Sequence, residues 1–182
     1  MNILQGKYTL EKIQGNPEAI ELVERMIAHD YLLWPITKEV LSHIIFWDHE
    51  KKLRLIMDLS DHLEFIQASH PTVRKLEEVA RRFKILDGCN NDWSTVLDRV
   101  LLYELNKYRK YNLQSAADLI RFIRNKRNHF WDLPDAGQKL LSKSSEKFLR
   151  YFTKKLPNLT IMCYVFTRDH LEQEDVFWSY FK

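Results

Sequence analysis

Ser115-Ala-Ala-Asp-Leu-Ile-Arg-Phe-Ile-Arg-Asn-Lys-Arg-Asn-His-Phe130 is the stretch of sequence with the clearest pattern of an amphipathic α-helix. At about 100° per residue, its large apolar side chains fall on one side of the helix. Four polar side chains share an arc of about 140° on the other side: Arg124, Asn125, Asn128 and His129. We therefore predict a helix that buries one side in a core and presents a guanidinium, two amides and an imidazole together.

The composition around this helix predicts a packed, mostly helical protein. The chain of 182 residues has room for one ordinary domain, or for a domain with a fragment of another. Hydrophobic residues make up 45% and aromatic residues 13%, against only 4 Gly and 5 Pro. This composition argues against a disordered chain and favours few loops.

The net charge of +3 is unevenly distributed along the chain. Residues 107–155 contain thirteen Lys or Arg against four Asp or Glu, so the remainder of the chain is acidic. A basic region of this kind suits a polyanion such as RNA. It equally suits a solvated helical surface that acidic neighbours balance in the fold, and charge alone does not choose between the two.

The cysteines and the first residues bear on the compartment. Cys89 and Cys163 stand far apart and form no CxxC pair, which argues against a disulfide framework and against a zinc site. A reducing compartment is therefore expected. The chain does not begin with a signal-peptide pattern, and no apolar run approaches the ~18 residues that a membrane span needs. We expect a cytoplasmic location and no membrane segment in this chain.

Helical periodicity and capping residues recur along the rest of the chain. Asn16 and Pro17 suit the start of a helix, and similar signals mark later ones. Residues 159–166 fit a buried strand as well as a helix. Helices are predicted over residues 17–28, from about 37, over a longer segment that carries Leu53, Ile56 and Met57, and over 72–83, 94–108, 115–130 and 145–154. The charged residues of the 72–83 segment are expected to form a solvated face: Arg74, Lys75, Glu77 and Glu78.

The polar side of the 115–130 helix carries groups that RNA cleavage requires. RNA supplies its own nucleophile, the 2′-hydroxyl. A nuclease therefore has to position the phosphate, deprotonate this hydroxyl, stabilise the charge that develops and protonate the leaving 5′-oxygen. Arg124 offers a planar fork of donors to the phosphate oxygens, where charge builds up in the transition state. Histidine exchanges protons near neutral pH, so His129 is the candidate general acid. Asn125 can bind the same phosphate or orient the imidazole.

Other side chains near this helix are candidates for supporting roles. Tyr111, just ahead of the helix, is a candidate base or a ligand of the 2′-hydroxyl, although tyrosine is a weak base unless a cation stabilises its ionised form. Contacts with RNA are expected from Arg121, Lys126, Arg127 and Asn128. Only scattered aspartates flank the helix, so we expect neither a metal ion nor a cofactor. The alternative is that all these groups are surface residues without chemistry.

Four segments in order resemble the motifs of a known family. The Arg-x4-His spacing is similar to that of HEPN-type ribonucleases. The segments Tyr108-Arg-Lys-Tyr111, residues 118–126 with His129, Asp132-Leu-Pro134 and residues 151–159 resemble the KEN endoribonuclease domain. That domain ends the unfolded-protein-response sensor kinase/endoribonucleases (the inositol-requiring enzyme family) and RNase L. The last residues, 174–182, look most like the plant-type members.

The resemblance implies an all-α KEN (HEPN-like) fold at residues 48–182. Residues 1–47 resemble the last helices of a protein-kinase C-lobe, with Trp34 in place of the usual arginine. His43 matches a position that packs in the family, so we expect it to be structural. Because the nucleotide-binding lobe and the Mg-binding aspartate are missing from this sequence, no kinase activity or ATP binding is expected.

The resemblance also implies a function and the residues that perform it. The family's catalytic tyrosine, arginine, asparagine and histidine match Tyr111, Arg124, Asn125 and His129. The implied reaction cuts stem-loop RNA, and not DNA, to a 2′,3′-cyclic phosphate and a 5′-hydroxyl, and it belongs to mRNA processing in the unfolded protein response. The implied partner is a second copy or a full-length relative, and the location can also be the cytosolic part of an endoplasmic-reticulum membrane protein. The alternative is a catalytically silent KEN-fold module for binding or dimerisation that regulates full-length relatives.

Overall fold

A computed structural model describes residues 8–105, 107 and 109–182 of the chain. These residues form helices and short 3-10 turns with no β-strand among them, which confirms the all-α class. The helices are α1 (Pro17–Met26), α2 (Thr37–Leu41), α3 (His49–Leu63), α4 (Pro71–Arg82), α5 (Arg99–Leu105), α6 (Ala116–Asn128), α7 (Asp135–Leu141), α8 (Ser145–Lys155), α9 (Leu159–Leu171) and α10 (Asp175–Trp178).

Helix α6 lies against α3 and α4, and it buries the side that the sequence pattern predicted. Leu119, Ile120, Phe122 and Ile123 are completely buried in this contact. Each such side chain contributes about 1.5–3 kcal/mol when it leaves water. The rotation of α6 about its own axis is therefore fixed, and its polar side points away from the core.

The N-terminus of α6 is capped from outside the helix. Ser115 Oγ accepts a hydrogen bond from the backbone N–H of Asp118 at 3.2 Å. The carboxylate of Glu77, on α4, accepts from the backbone N–H groups of Ala116 and Ala117 at 3.0 and 3.1 Å, and from Ser115 Oγ at 2.6 Å. The prediction that Glu77 belongs to a solvated face is wrong, because the unsatisfied N–H groups at the start of α6 bind its carboxylate.

The C-terminus of α6 lies earlier than predicted. The helix ends at Asn128, and His129 leaves the helical conformation with φ −102° and ψ 34°. A 3-10 turn over Phe130–Asp132 follows, and Pro134 precedes α7. Pro134 restricts the preceding Leu133, which is extended, so the helical path does not resume before α7. His129 therefore belongs to a turn and not to a helix face.

Helix α9 settles the segment that fitted either a strand or a helix. α1, α3, α4 and α8 pack around it, and nearly all of its residues are buried. A helix enclosed in this way needs apolar residues on every face, and this removes the periodicity that marks an amphipathic helix.

Helix α5 begins later than the sequence predicted. A 3-10 turn over Trp93–Val96 and an extended Leu97 precede it, so the predicted start at residue 94 is wrong. Asp92 causes the difference, since its carboxylate binds the N–H and hydroxyl groups of Ser94 and caps the short turn instead. The predicted end at Tyr108 lies outside the described residues.

A buried polar network holds α1 and the following segment on α9. Glu21 Oε1 accepts from Arg168 Nη1 at 2.8 Å, and its Oε2 lies 2.8 Å from Nε2 of the fully buried His43. His43 Nδ1 accepts from the N–H of Ile45, so Nε2 carries the proton that Glu21 binds. Burial opposes ionisation of Glu21, but His43 and Arg168 outweigh it and lower its pKa to about 2. His43 is thus structural, as expected, while the boundary at residue 47 stays a prediction.

Residues 31–41 expose large apolar side chains to solvent. More than half of the surface is exposed in Tyr31, Leu32, Leu33, Trp34, Ile36 and Leu41. Among the described helices, none has the length and apolar character required to cross a bilayer.

The Glu21 network gives a prediction about stability. A lowered pKa stabilises the fold above about pH 4.5, and the contribution disappears as the pH falls toward 2. Glu21→Gln should therefore lower the free energy of unfolding by about 1–3 kcal/mol at pH 7, and by progressively less below pH 4. Urea unfolding of both proteins at pH 7 and at pH 3 measures the difference in the free energy of unfolding.

The matched control is Glu50→Gln, which removes an exposed carboxylate that pairs with Arg54 one helical turn away. Its expected effect is about 0.5 kcal/mol or less. An equal loss in the Glu21 variant at pH 7 and pH 3 would contradict the proposed role of the Glu21 charge.

Candidate active site

A cleft of about 670 Å³ opens beside the C-terminal half of α6. Its walls come from the end of α5, the segment before α6, the last turns of α6 and the turn that follows. All four predicted catalytic residues line it: Tyr111, Arg124, Asn125 and His129. The other lining residues are Glu104, Leu105, Arg109, Lys126, Asp132 and Leu133. The fold therefore gathers side chains from separate segments around one space.

Polar contacts hold Arg124 in place at the cleft wall. Its Nη1 donates to Asn125 Oδ1 at 2.8 Å, and its Nη2 donates to Glu64 Oε2. Its Nε lies 2.8 Å from Asp61 Oδ1 without the alignment of a hydrogen bond. Because only 14% of the side chain is exposed, these contacts fix the direction of the guanidinium.

Glu64 gathers three arginines at the end of α3. Its Oε1 accepts from Arg109 Nη1 at 2.9 Å, Oε2 binds Arg124, and Arg121 Nε lies 4.0 Å from Oε2. Burial opposes the ionisation of Glu64, but the hydrogen bond from Arg109 and the nearby positive charges outweigh it and lower its pKa. Glu64 is therefore a carboxylate at neutral pH.

Sequence reasoning missed Glu64 and Arg109 as members of the site. Glu64 precedes Arg124 by 60 positions, so no local spacing connects the two. Arg109 stands two residues before Tyr111, inside a segment that resembles a family motif, and that position was the available signal.

Asn125 links the arginine to the tyrosine. Its Oδ1 accepts from Arg124, and its Nδ2 donates to the Tyr111 hydroxyl at 2.8 Å. Edge contacts with Trp93 and Phe122 fix the Tyr111 ring. Because the tyrosine oxygen already accepts one hydrogen bond, its own O–H remains available to donate into the cleft.

His129 stands at the open side of the cleft. Its side chain is 70% exposed, and its Nδ1 lies 3.0 Å from Asp132 Oδ2. When Nδ1 carries a hydrogen, Asp132 accepts it and leaves Nε2 to exchange a proton with a ligand. Asp132 was a flanking residue in the sequence, and the turn after α6 makes it the partner of the imidazole.

The four predicted RNA contacts occupy different surroundings. Arg121 donates to Asp118 at 2.6 Å, and Arg127 donates to the carbonyl of Lys143 at 2.6 Å, so both guanidinium groups have protein partners. Neither lines the cleft, and Asn128 is exposed outside it.

Lys126 lines the cleft, but its side chain is buried. Its Nζ donates to the carbonyl of Glu104 at 3.3 Å and lies over the Phe122 ring. Burial disfavours the ammonium form and lowers the pKa of Lys126.

Among the residues that the structure describes, no three His, Cys, Asp or Glu side chains are grouped to hold a metal ion.

Known proteins are similar to this sequence across most or all of its length. The family model described as Ribonuclease 2-5A matches residues 52–181. The protein of Schizosaccharomyces pombe named "Sensor for unfolded proteins in the ER ire1" is 37% identical over 98% of this chain and 17% of its own length. The serine/threonine-protein kinase/endoribonuclease IRE1b of Arabidopsis thaliana is 32% identical over 100% of this chain and 20% of its own. The human serine/threonine-protein kinase/endoribonuclease IRE2 is 32% identical over 88% of this chain and 17% of its own.

The identities are similar in fungi, plants and animals, and the chain spans at most about a fifth of the length of these relatives. The region of family likeness, residues 52–181, includes α6 and every residue that lines the cleft. The chain therefore belongs to the Ribonuclease 2-5A family, the KEN domain shared with kinase/endoribonucleases of the inositol-requiring enzyme type.

Proposed function

We propose that this chain is an endoribonuclease domain that cuts RNA without a metal ion. The observation that carries the proposal is the meeting of Tyr111, Arg124, Asn125 and His129 in one cleft. Together they offer a guanidinium, two hydrogen-bond donors and an imidazole, which are the groups that cleavage by a neighbouring 2′-hydroxyl needs. The name endoribonuclease that several relatives carry supports the same conclusion.

In the proposed reaction the 2′-oxygen loses its proton to a base and attacks the adjacent phosphorus. The P–O2′ bond forms while the P–O5′ bond breaks, which leaves a 2′,3′-cyclic phosphate and a 5′-hydroxyl. His129 gives a proton from Nε2 to the departing 5′-oxygen while Asp132 accepts from Nδ1. Arg124 binds the non-bridging oxygens as their charge increases. Tyr111 donates its O–H to the substrate.

Glu64 acts in this proposal as a positioning residue. It does not touch the reacting atoms but binds Arg124 and Arg109, two guanidinium groups at the cleft. A guanidinium held in place before substrate arrives stabilises developing charge without the cost of reorganisation. The phosphate then shares the guanidinium of Arg124 with the carboxylate of Glu64.

The proposed substrate is stem-loop RNA, since DNA lacks the 2′-hydroxyl. We propose that the setting is mRNA processing in the unfolded protein response, because one relative is named as a sensor for unfolded proteins. The proposed place is the cytosol, either as a separate chain or as part of an endoplasmic-reticulum membrane protein. The proposed assembly is a homodimer or a complex with a full-length relative.

A second candidate function is a silent module that binds other chains of the family. The observation that favours it is the exposed apolar surface of residues 31–41. Sedimentation at several concentrations, together with a cleavage assay, separates the two candidates. A chain that dimerises or binds RNA but does not cut supports the second.

His129→Ala should abolish cutting of a stem-loop RNA in the presence of EDTA. Loss of a general acid lowers the rate about 10²–10⁴-fold. The products are separated on a gel, and the cyclic phosphate is identified by its resistance to phosphatase until acid opens it. The same stem-loop made of DNA should stay intact with the unchanged protein.

His170→Ala is a matched control, because His170 is an exposed histidine outside the cleft. It should leave the rate unchanged. Cutting that survives His129→Ala would overturn the role proposed for this histidine, and cutting that EDTA stops would overturn metal independence.

Glu64→Gln should separate binding from catalysis. Removing one negative charge beside the phosphate site should lower KM for RNA or leave it unchanged. Because Glu64 no longer holds the Arg124 guanidinium in place, kcat should fall about tenfold or more. Steady-state kinetics with a stem-loop RNA measures both. A variant in which kcat is unchanged would contradict the positioning role.

A further inference from the structure

A second, shallow and open cleft of about 360 Å³ is lined in part by the segment that follows α6. The segment between His129 and Asp135 contributes residues to both clefts, so it forms their common wall. This second cleft is lined by Phe130 and by three lysines, and none of these residues has a part in the proposed reaction.

Trp131 lies at this wall and is unusually exposed for its size. Of its surface, 67% is accessible to solvent. Phe130 contacts it edge-on at 5.3 Å between ring centroids, and Lys143 Nζ lies 4.9 Å from its ring centroid. Gln138 Nε2 donates to the backbone carbonyls of Leu133 and Trp131 at 2.8 and 3.4 Å. The backbone of the turn is therefore held, and the indole stands largely open to solvent with Lys143 over its ring.

The three lysines of the second cleft are Lys139, Lys143 and Lys147, and all are exposed. Within the described part of the chain, none of them forms an ion pair with a carboxylate. Asp135 is the one acidic residue among the residues that line this cleft, so the local charge is positive. Exposed lysines beside an exposed aromatic ring are what single-stranded nucleic acid binds, through phosphates and stacked bases.

The loop that carries Lys143 is held in an unfavourable conformation. Ser142 has φ 60° and ψ 151°, a region that residues other than glycine rarely occupy. Two hydrogen bonds from Arg127 offset the cost of this backbone conformation: one to the carbonyl of Lys143 at 2.6 Å and one to Ser145 Oγ at 3.2 Å. Arg127, which the sequence suggested as an RNA contact, thus fixes the loop that brings Lys143 to the indole.

We propose that Trp131, Lys139, Lys143 and Lys147 form a subsite for the RNA nucleotides on the 3′ side of the cut. This inference deepens the proposed function and rests on it for the direction of the strand. His129 gives its proton to the 5′-oxygen of the leaving nucleotide, so the strand leaves the first cleft past His129 on its 3′ side. The next residues along the wall are those of the second cleft. One base stacks on the indole, and the lysines contact the following phosphates.

The first experiment measures binding without cleavage. A fluorescent stem-loop RNA with 2′-O-methyl groups throughout its loop lacks the nucleophile, and its affinity is measured by anisotropy. Trp131→Ala should weaken binding about fivefold or more, whereas Trp131→Phe, which keeps an aromatic ring, should stay within about twofold. Trp178→Ala is the matched control, because Trp178 is also partly exposed beside lysines but belongs to α10 and not to the segment between the two clefts.

The lysines are tested by the salt dependence of binding. Alanine at Lys139, Lys143 and Lys147 should reduce the slope of log affinity against log salt by about 2, at about 0.7 per phosphate contact. Alanine at Lys12, Arg74 and Lys75, which are exposed elsewhere, should change the slope by less than about one.

The direction of the strand is tested with cuttable RNA whose cut site has been mapped. Trp131→Ala should lower kcat/KM about fivefold or more, and shortening the RNA until only the leaving nucleotide remains 3′ of the cut should abolish this difference. Removing nucleotides 5′ of the cut should preserve it. The opposite pattern would overturn the proposed direction.

The failures of the two proposals are distinguishable. If the chain cuts RNA and Trp131→Ala changes neither affinity nor kcat/KM, the subsite is wrong and the proposed function stands. If the chain does not cut but Trp131→Ala weakens RNA binding, the function is wrong and a binding surface at Trp131 stands. If Trp131→Ala alters self-association in sedimentation and leaves RNA binding unchanged, Trp131 belongs to a protein contact and the subsite is overturned.

Discussion

The burial of one side of α6 against α3 and α4 is the contact on which the fold and the site both depend. Four fully buried side chains, Leu119, Ile120, Phe122 and Ile123, set the rotation of this helix. A rotation by one residue, about 100°, would place Arg124 in the core and a large apolar side chain in the cleft. The hydrophobic contact therefore orients the polar groups, although it makes no contribution to their chemistry.

Charge compensation is the second constraint, and it follows from the first. Once α6 is seated on α3, three guanidinium groups meet near the end of α3. Like charges at this distance repel, and Glu64 offsets the repulsion by binding Arg109 and Arg124 directly. The guanidinium of Arg124 is thus held in place before any substrate binds, and a phosphate has to share it with Glu64.

Side chains of other helices also hold the chain at both ends of α6. Glu77 caps the first turn from α4, and Gln138 of α7 holds the turn that carries His129 toward the cleft. The second cleft shares that turn. The position of the imidazole and the position of Trp131 are therefore linked through a few backbone hydrogen bonds.

Local patterns in the sequence were sufficient to predict the helices that have one apolar and one polar face. The apolar stripe of α6 and the Asn16 cap of α1 are examples, whereas the structural role of His43 was implied by the family resemblance. Local patterns failed for α9, because a helix buried on all sides has no stripe. They failed also at the end of α6, because the 3-10 turn after Asn128 continues the apolar spacing that suggested more helix.

The chain's residue order thus set the helical class, the family likeness and the set of groups available for chemistry. The partners of those groups were decided in three dimensions. Glu64 lies 60 positions from Arg124, and Glu77 lies 38 positions from Ser115. Contacts over such separations leave no periodic signal in the sequence, because they depend on how helices cross and not on the spacing within a helix. Only the packed structure shows that Arg124 is paired, that Lys126 is buried and that Trp131 stands open beside His129.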